Sequence, residues 1–219
     1  MTCDMKGKFY SVFHGTLRKP FLWVTRTRVH GAENEPDESE GPYIICGNHT
    51  VFSDPIFLCA AMRKQQPHFM AKKELFKIPL LRGLIKGLGA FPVDRKAGDV
   101  SAIKRSIALL EQGKCVGIFP QGHRNPGINP RETEVRHGIG MIASRTHATI
   151  LPCCMCMKDY KYQFGRRVDI VVGKPMKYEE YAAGLSGTAE YTAITEKVFD
   201  RICTLGEDFT QKEGMPNEA

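Results

Sequence analysis

Short apolar runs alternate with stretches of helical spacing along most of the chain. Tyr43-Ile44-Ile45-Cys46 is a continuous apolar run of strand length. Pro55 then opens a segment carrying Ile56, Phe57, Ala60 and Ala61 at helical spacing. The residues between, from Gly47 to Asp54, are mostly polar and read as a turn from strand to helix. Val24 to His30 is β-branched and alternating, which predicts a strand. Pro67 to Ala71 predicts a short strand that runs into a helical stretch ending near Lys86. Gly89 to Arg95 predicts a strand and a turn. Val100 to Gln112 sets Ile103, Ile107 and Leu110 on one helical face and stops at Gly113. Cys115 to Phe119 and Ala148 to Cys154 are apolar enough for buried strands, with a short helix at 136–146 between them. Arg167 to Val172 alternates again, and a last helix spans about Ala189 to Leu205.

This order predicts one α/β domain over residues 24–205, with a largely parallel, mixed sheet flanked by helices. Neither an internal repeat nor a linker interrupts it. A polar, frayed tail is expected at 206–219. Residues 1–23 form a separate amphipathic segment. Phe9, Phe13 and Leu17 fall at i, i+4 and i+8 on one helical face, Pro20 is expected to break that helix, and Phe21 to Val24 follow. Two readings stay open: a helix lying on an anionic membrane surface, or a terminal helix packing on the core. Glu33 to Glu40 holds five carboxylates and reads as a solvated loop.

Charge narrows the partners. The net charge of the 219 residues is +7. Residues 1–28 hold six Lys or Arg against Asp4 alone, and residues 61–96 hold nine against Glu74 and Asp94. Such a balance suits a phosphate-bearing substrate, an acidic carrier protein or an anionic membrane. No zinc-knuckle pairs or RRM-type aromatic signature accompany it, so nucleic acid is not the expected partner. The longest apolar run, Ile150 to Met157, has eight residues, well short of the ~20 that cross a bilayer. Eight cysteines without a signal peptide point to a reducing cytoplasm.

The turn after Cys46 carries the candidate chemistry. His49 sits five residues before Asp54. On a regular helix that spacing separates the side chains by about 140°. The two can meet only if His49 lies on the turn and Asp54 at the helix start. An imidazole held by a carboxylate suits proton abstraction. Asp before Pro before a helix is equally the pattern of a helix cap. Cys46 and Cys59 lie near enough to raise a Cys–His nucleophile, but Cys46 falls inside the apolar strand, where a thiol is inert. No His-x3-His spacing suggests a metal, and no cofactor-binding pattern is present. Further strand ends bring Lys72, Arg95 and the segment Gln121, Gly122, His123, Arg124 toward the same edge. The arginines suit a phosphate through their planar fork.

These residues resemble those of a known family. Asn48-His49-x4-Asp54 looks like the first motif of the glycerolipid acyltransferases of the 1-acylglycerol-3-phosphate acyltransferase group. Gly89-Ala-Phe-Pro-Val-Asp-Arg95 resembles their second motif, Phe119-Pro-Gln-Gly-His-Arg124 their third, and Ile150-Leu-Pro152 their fourth. Order and spacing agree over roughly residues 5–205. The resemblance implies direct acyl transfer, without an acyl-enzyme, from an acyl-carrier-protein or coenzyme A thioester to a glycerol hydroxyl of a lysophospholipid. Phosphatidate made from lysophosphatidate is the expected product, at the cytoplasmic face of the membrane. It implies His49 as base and Asp54 as its orienting acid. It implies Arg124, Arg95, Lys72, Gln121, Gly122 and His123 as substrate-binding groups, and no bound cofactor. The third motif departs from the family's Phe-Pro-Glu-Gly-Thr-Arg: Gln121 replaces the glutamate and His123 the threonine. A different lysolipid or an amino-lipid hydroxyl is therefore an alternative acceptor, and a non-catalytic module for anionic lipid is the alternative outside enzymology.

Overall fold

Seven strands pair into one sheet in the order β1-β7-β6-β2-β5-β3-β4. They are β1 (Thr27–His30), β2 (Tyr43–Gly47), β3 (Pro67–Lys72), β4 (Phe91–Val93), β5 (Cys115–Ile118), β6 (Thr149–Met157) and β7 (Val168–Val172). The structure is a computed structural model and describes residues 7–93 and 100–213. Every pairing is parallel except β6 with β7, so the sheet is the largely parallel, mixed one expected. The helices are α1 (Lys8–Val12), α2 (Arg18–Val24), α3 (Asp54–Ala61), α4 (Pro79–Gly87), α5 (Val100–Glu111), α6 (Gly138–Thr146), α7 (Tyr178–Tyr181) and α8 (Gly187–Glu213).

The period-two alternation of β2 divides the core. Tyr43 and Ile45 face a layer holding α3 and the N-terminal helix, with Phe57, Leu58, Tyr10 and Phe13. Ile44 and Cys46 face the opposite layer, with Ile103 of α5, Ile139 and Ile142 of α6, and Val198 and Ile202 of α8. The crossover from β2 to β3 passes over β5 on the α3 side. The crossover from β5 to β6 passes over β2 on the α6 side. The chain thus leaves β2 and β5 toward opposite faces, which opens a crevice at their carboxyl ends.

The N-terminal segment corrects two expectations. A π-helical stretch, Phe13–Leu17, joins α1 to α2, and the helix runs on through Pro20 to Val24. Pro20 lies in the first turn of α2, where a missing N–H is tolerated. Of the expected apolar face only Phe13 is buried, whereas Phe9 and Leu17 are exposed and Tyr10 is buried instead. The reason is a capping task. The last carbonyls of a helix lack partners within it. The Tyr10 hydroxyl donates to the carbonyls of Cys59 and Met62, the His14 imidazole bonds that of Cys59, and the Arg18 guanidinium donates to that of Ala60. Arg18, counted among the surface charges, is thereby committed to the end of α3.

The acidic stretch is also more than a solvated loop. Glu35 is 2% exposed. Its carboxylate accepts from the backbone N–H groups of Arg63, Lys64 and Gln65 and from the Tyr43 hydroxyl. Those N–H groups belong to the turn between α3 and β3 and have no ladder to join, so the carboxylate substitutes for one. Glu35→Ala leaves four donors without their acceptor, two of them on the buried residues Tyr43 and Gln65, and is expected to cost about 3–5 kcal/mol in urea unfolding. Glu33→Ala, at an exposed position, is expected to stay within about 0.5 kcal/mol of the parent.

The expected frayed tail after Leu205 is instead helical as far as Glu213. Arg131 bonds Glu207 and Asp200 of α8, Arg167 bonds Glu213, and the His30 ring packs at a tilt against Phe209. These contacts hold the end of the helix against β1, the start of β7 and the turn at Pro130–Glu132.

Candidate active site

His49 and Asp54 meet. The His49 Nδ1 lies 2.7 Å from Asp54 Oδ2. The turn is built for this contact. Asp54 Oδ2 also accepts from the backbone N–H groups of Thr50 (2.6 Å) and Val51 (2.8 Å), so the carboxylate folds the turn back over the start of its own helix. Ser53 occupies the cap position of α3 and makes no side-chain cap bond. Asp54 is therefore a partner of His49 and not a helix cap.

Both backbone groups of His49 are held by the loop that follows β5. Its N–H donates to Gln121 Oε1 at 2.6 Å, and its carbonyl accepts from the Asn125 N–H at 2.9 Å. Asn48 anchors the turn on the other side. Its side chain accepts from the Met155 N–H and donates to the Met155 carbonyl. It thus continues the β2–β6 register one step past the last backbone pair, Gly47 with Cys153. The imidazole stacks on Phe119 at 4.3 Å between centroids and 16° between planes, and Phe119 stacks on Phe69. Gly117 makes room for that stack, since a Cβ there would lie 2.0 Å from the Phe69 ring.

Asp54 is fully buried, and Oδ1 has no hydrogen-bond partner among the described residues. Burial pushes its carboxyl above the ordinary range, opposed by the bond from His49 and those from Val51 and Thr50. His49 is 15% exposed, and its Nε2 has no protein partner among the described residues. With Nδ1 donating to the carboxylate, Nε2 carries the lone pair and can accept a proton. Such an arrangement can take a proton from a hydroxyl and hold the resulting imidazolium. The thiols nearby cannot compete. Cys46 is completely buried on the α6 side and Cys59 within α3, and burial pushes both thiols well up.

The remaining sequence-derived residues divide. Arg124 is exposed, with its guanidinium 6.0 Å from the centroid of the Phe52 ring. Lys72 ends β3 on the same edge of the sheet, and it too is exposed. Gly122 adopts φ +71° and closes the turn to Phe119; a Cβ there would also meet the Arg136 side chain at 2.8 Å. His123 is exposed on the same loop. Arg95 lies outside the described residues. Gln121 is corrected: it is 2% exposed and does not face the crevice. Its amide nitrogen donates to Thr133 Oγ1 at 2.7 Å, which in turn donates to the Pro130 carbonyl. Asn48, Phe119, Asn125 and Thr133 escaped the sequence reading as positioning groups. Asn48 and Phe119 sit inside the motifs and carried that signal, whereas Thr133 sits twelve residues beyond Gln121 and carried none.

Comparison with known proteins bears on this geometry. Residues 26–156 match the family model described as Acyltransferase. The 1-acyl-sn-glycerol-3-phosphate acyltransferase of Bacillus subtilis is 31% identical over 186 residues, covering 84% of this chain and 90% of that protein. The protein of the same name from Streptococcus pneumoniae is 31% identical over 182 residues, covering 80% of this chain and 65% of its own length. Among solved structures, the 1-acyl-sn-glycerophosphate acyltransferase PlsC of Thermotoga maritima superposes with a TM-score of 0.69. That match is 23% identical and covers 92% of this chain and 79% of the other; at that identity it supports the fold.

Proposed function

The chain belongs to the glycerolipid acyltransferase family and is an acyltransferase, and from that premise we propose that it acylates lysophosphatidate to phosphatidate at a membrane surface. The observation that carries the reading is the His49–Asp54 bond, which leaves Nε2 unpartnered at the carboxyl end of β2. In this mechanism Nε2 takes the proton of the acceptor's glycerol hydroxyl as its oxygen attacks the thioester carbonyl carbon. The tetrahedral intermediate collapses with cleavage of the C–S bond. The leaving thiolate recovers the proton from the imidazolium, so the enzyme ends as it began. Asp54 fixes the tautomer and balances the imidazolium charge. The acyl donor is a thioester of acyl carrier protein or coenzyme A.

Arg124 is the first group assigned to the acceptor's phosphate, with Lys72 second. Gln121, turned inward, positions the His49 backbone. Its difference from the family glutamate therefore bears on the turn rather than on the acceptor. The inward amide does not favour a different lysolipid. For the membrane, the exposed apolar side chains of Val12, Leu17 and Trp23 and of Leu80 and Leu84 in α4 supply a surface that can enter the headgroup region. No helix among the described residues is long and apolar enough to cross a membrane, and the attachment proposed is peripheral.

Initial rates with one acyl-carrier thioester and a panel of lysophospholipids test the reading. Lysophosphatidate is expected to have the highest kcat/KM. Arg124→Ala is expected to raise its KM about 10- to 100-fold, the worth of a charge-assisted bond, and to change little with acceptors lacking a phosphomonoester. Equal effects on every acceptor would remove Arg124 from the phosphate site.

A further inference from the structure

A second cationic site lies at the opposite end of the sheet from His49. Lys8 of α1, Lys86 near the end of α4, Arg105 of α5 and Lys114 just before β5 line an open pocket of about 440 Å³. No Asp or Glu among the described residues lines it. Among the described residues, none of these four has an ion-pair partner. Four like charges brought together from four segments repel one another, and a concave surface focuses their field. The neighbouring His68 registers that field: burial holds its imidazole below the ordinary range, and Lys114 and Arg105 push the same way. The floor is Gln66, which accepts from the Gly7 N–H and donates to the Gly87 carbonyl. The start of α1 and the end of α4 are thus tied together across the pocket.

Its rim is apolar on one side. Phe9 lines the pocket and is 41% exposed. It packs against Gly87, where a Cβ would lie 2.4 Å from its ring. Val12 one turn along, and Leu84 and Leu80 on α4, are exposed as well. A phosphate-sized anion with hydrocarbon beside it matches this combination, and a free anion would have no use for the apolar side.

We propose that this pocket binds the phosphate of an anionic phospholipid headgroup and seats the N-terminal helix on the membrane, apart from the active site. The proposal rests on the membrane-surface reading given above. Each basic residue near an anionic surface adds about 1 kcal/mol, so three together contribute roughly 100-fold in partition. The test is co-sedimentation, without substrates, with phosphatidylcholine vesicles that contain or lack phosphatidylglycerol. The wild-type chain is compared with the triple variant Lys86→Gln, Arg105→Gln, Lys114→Gln. The variant is expected to lose about 100-fold in partition to the anionic vesicles, less as salt rises, and to keep its kcat with detergent-dispersed substrates. Undiminished binding to anionic vesicles overturns the proposal. So does a variant whose only loss is a thermal shift with inorganic phosphate, or whose only loss is KM for acyl carrier protein. Because binding is read without turnover, an inactive wild type that still shows the vesicle difference would sink the acyltransferase mechanism and leave this site standing.

Discussion

Replacing His49 by alanine is expected to lower acyl transfer at least about 1,000-fold, the upper range of a general base, while the protein stays folded. The expectation of folding follows from what holds the turn. The bonds from Gln121 and Asn125 go to the His49 backbone, and the Thr50 and Val51 N–H groups still reach Asp54. The variant loses only the stack on Phe119 and one bond to the carboxylate. Activity and urea unfolding measured on the same preparation separate the two effects. A variant that turns over within tenfold of the wild type would show that another group takes the proton. Cys46 and Cys59 are poor candidates, buried as thiols away from the crevice.

Asp54→Asn is the second large effect, and its two readouts move in opposite directions. The amide oxygen can still accept from Thr50, Val51 and His49, so the turn persists. The negative charge that balances an imidazolium does not. Turnover is expected to fall about 100- to 10,000-fold. Stability goes the other way. Burial raises the folded-state pKa of Asp54 above its unfolded value, so its contribution favours the fold below the ordinary carboxylate range and is lost as the pH rises through the raised value. The ionised form of this carboxylate, with Oδ1 unpartnered, is the form that burial penalises. The asparagine variant is therefore expected to unfold no more easily than the wild type at pH 7–8. Full turnover by this variant would reduce Asp54 to a turn-former.

The sequence made the His49–Asp54 pair legible because its constraint is local. A strand, a five-residue offset and Pro55 leave few ways for His49 and Asp54 to meet. The strand ends were legible for a related reason, since apolar runs mark parallel strands and parallel strands collect loops at one edge. What stayed hidden depends on partners far away in the chain. Glu35 looks like any acid in an acidic loop until the donors of residues 63–65 arrive beside it. Gln121 looks like a group for the acceptor until Thr133 and the His49 N–H claim both ends of its amide. The helical face of residues 9–17 was misjudged because a π turn shifts the register and because the C-terminal end of α3 draws Tyr10, His14 and Arg18 inward. The tail past Leu205 is polar apart from Phe209, and its helix is held by Arg131, Arg167 and His30 from other elements.

Thiol release from an acyl-carrier thioester, followed with and without lysophosphatidate, tests the central claim most directly. Direct transfer through His49 predicts one thiol released per phosphatidate formed, no burst of thiol before acceptor is added, and neither product from His49→Ala. A stoichiometric burst without acceptor, or no thiol release with any lysophospholipid, would contradict it.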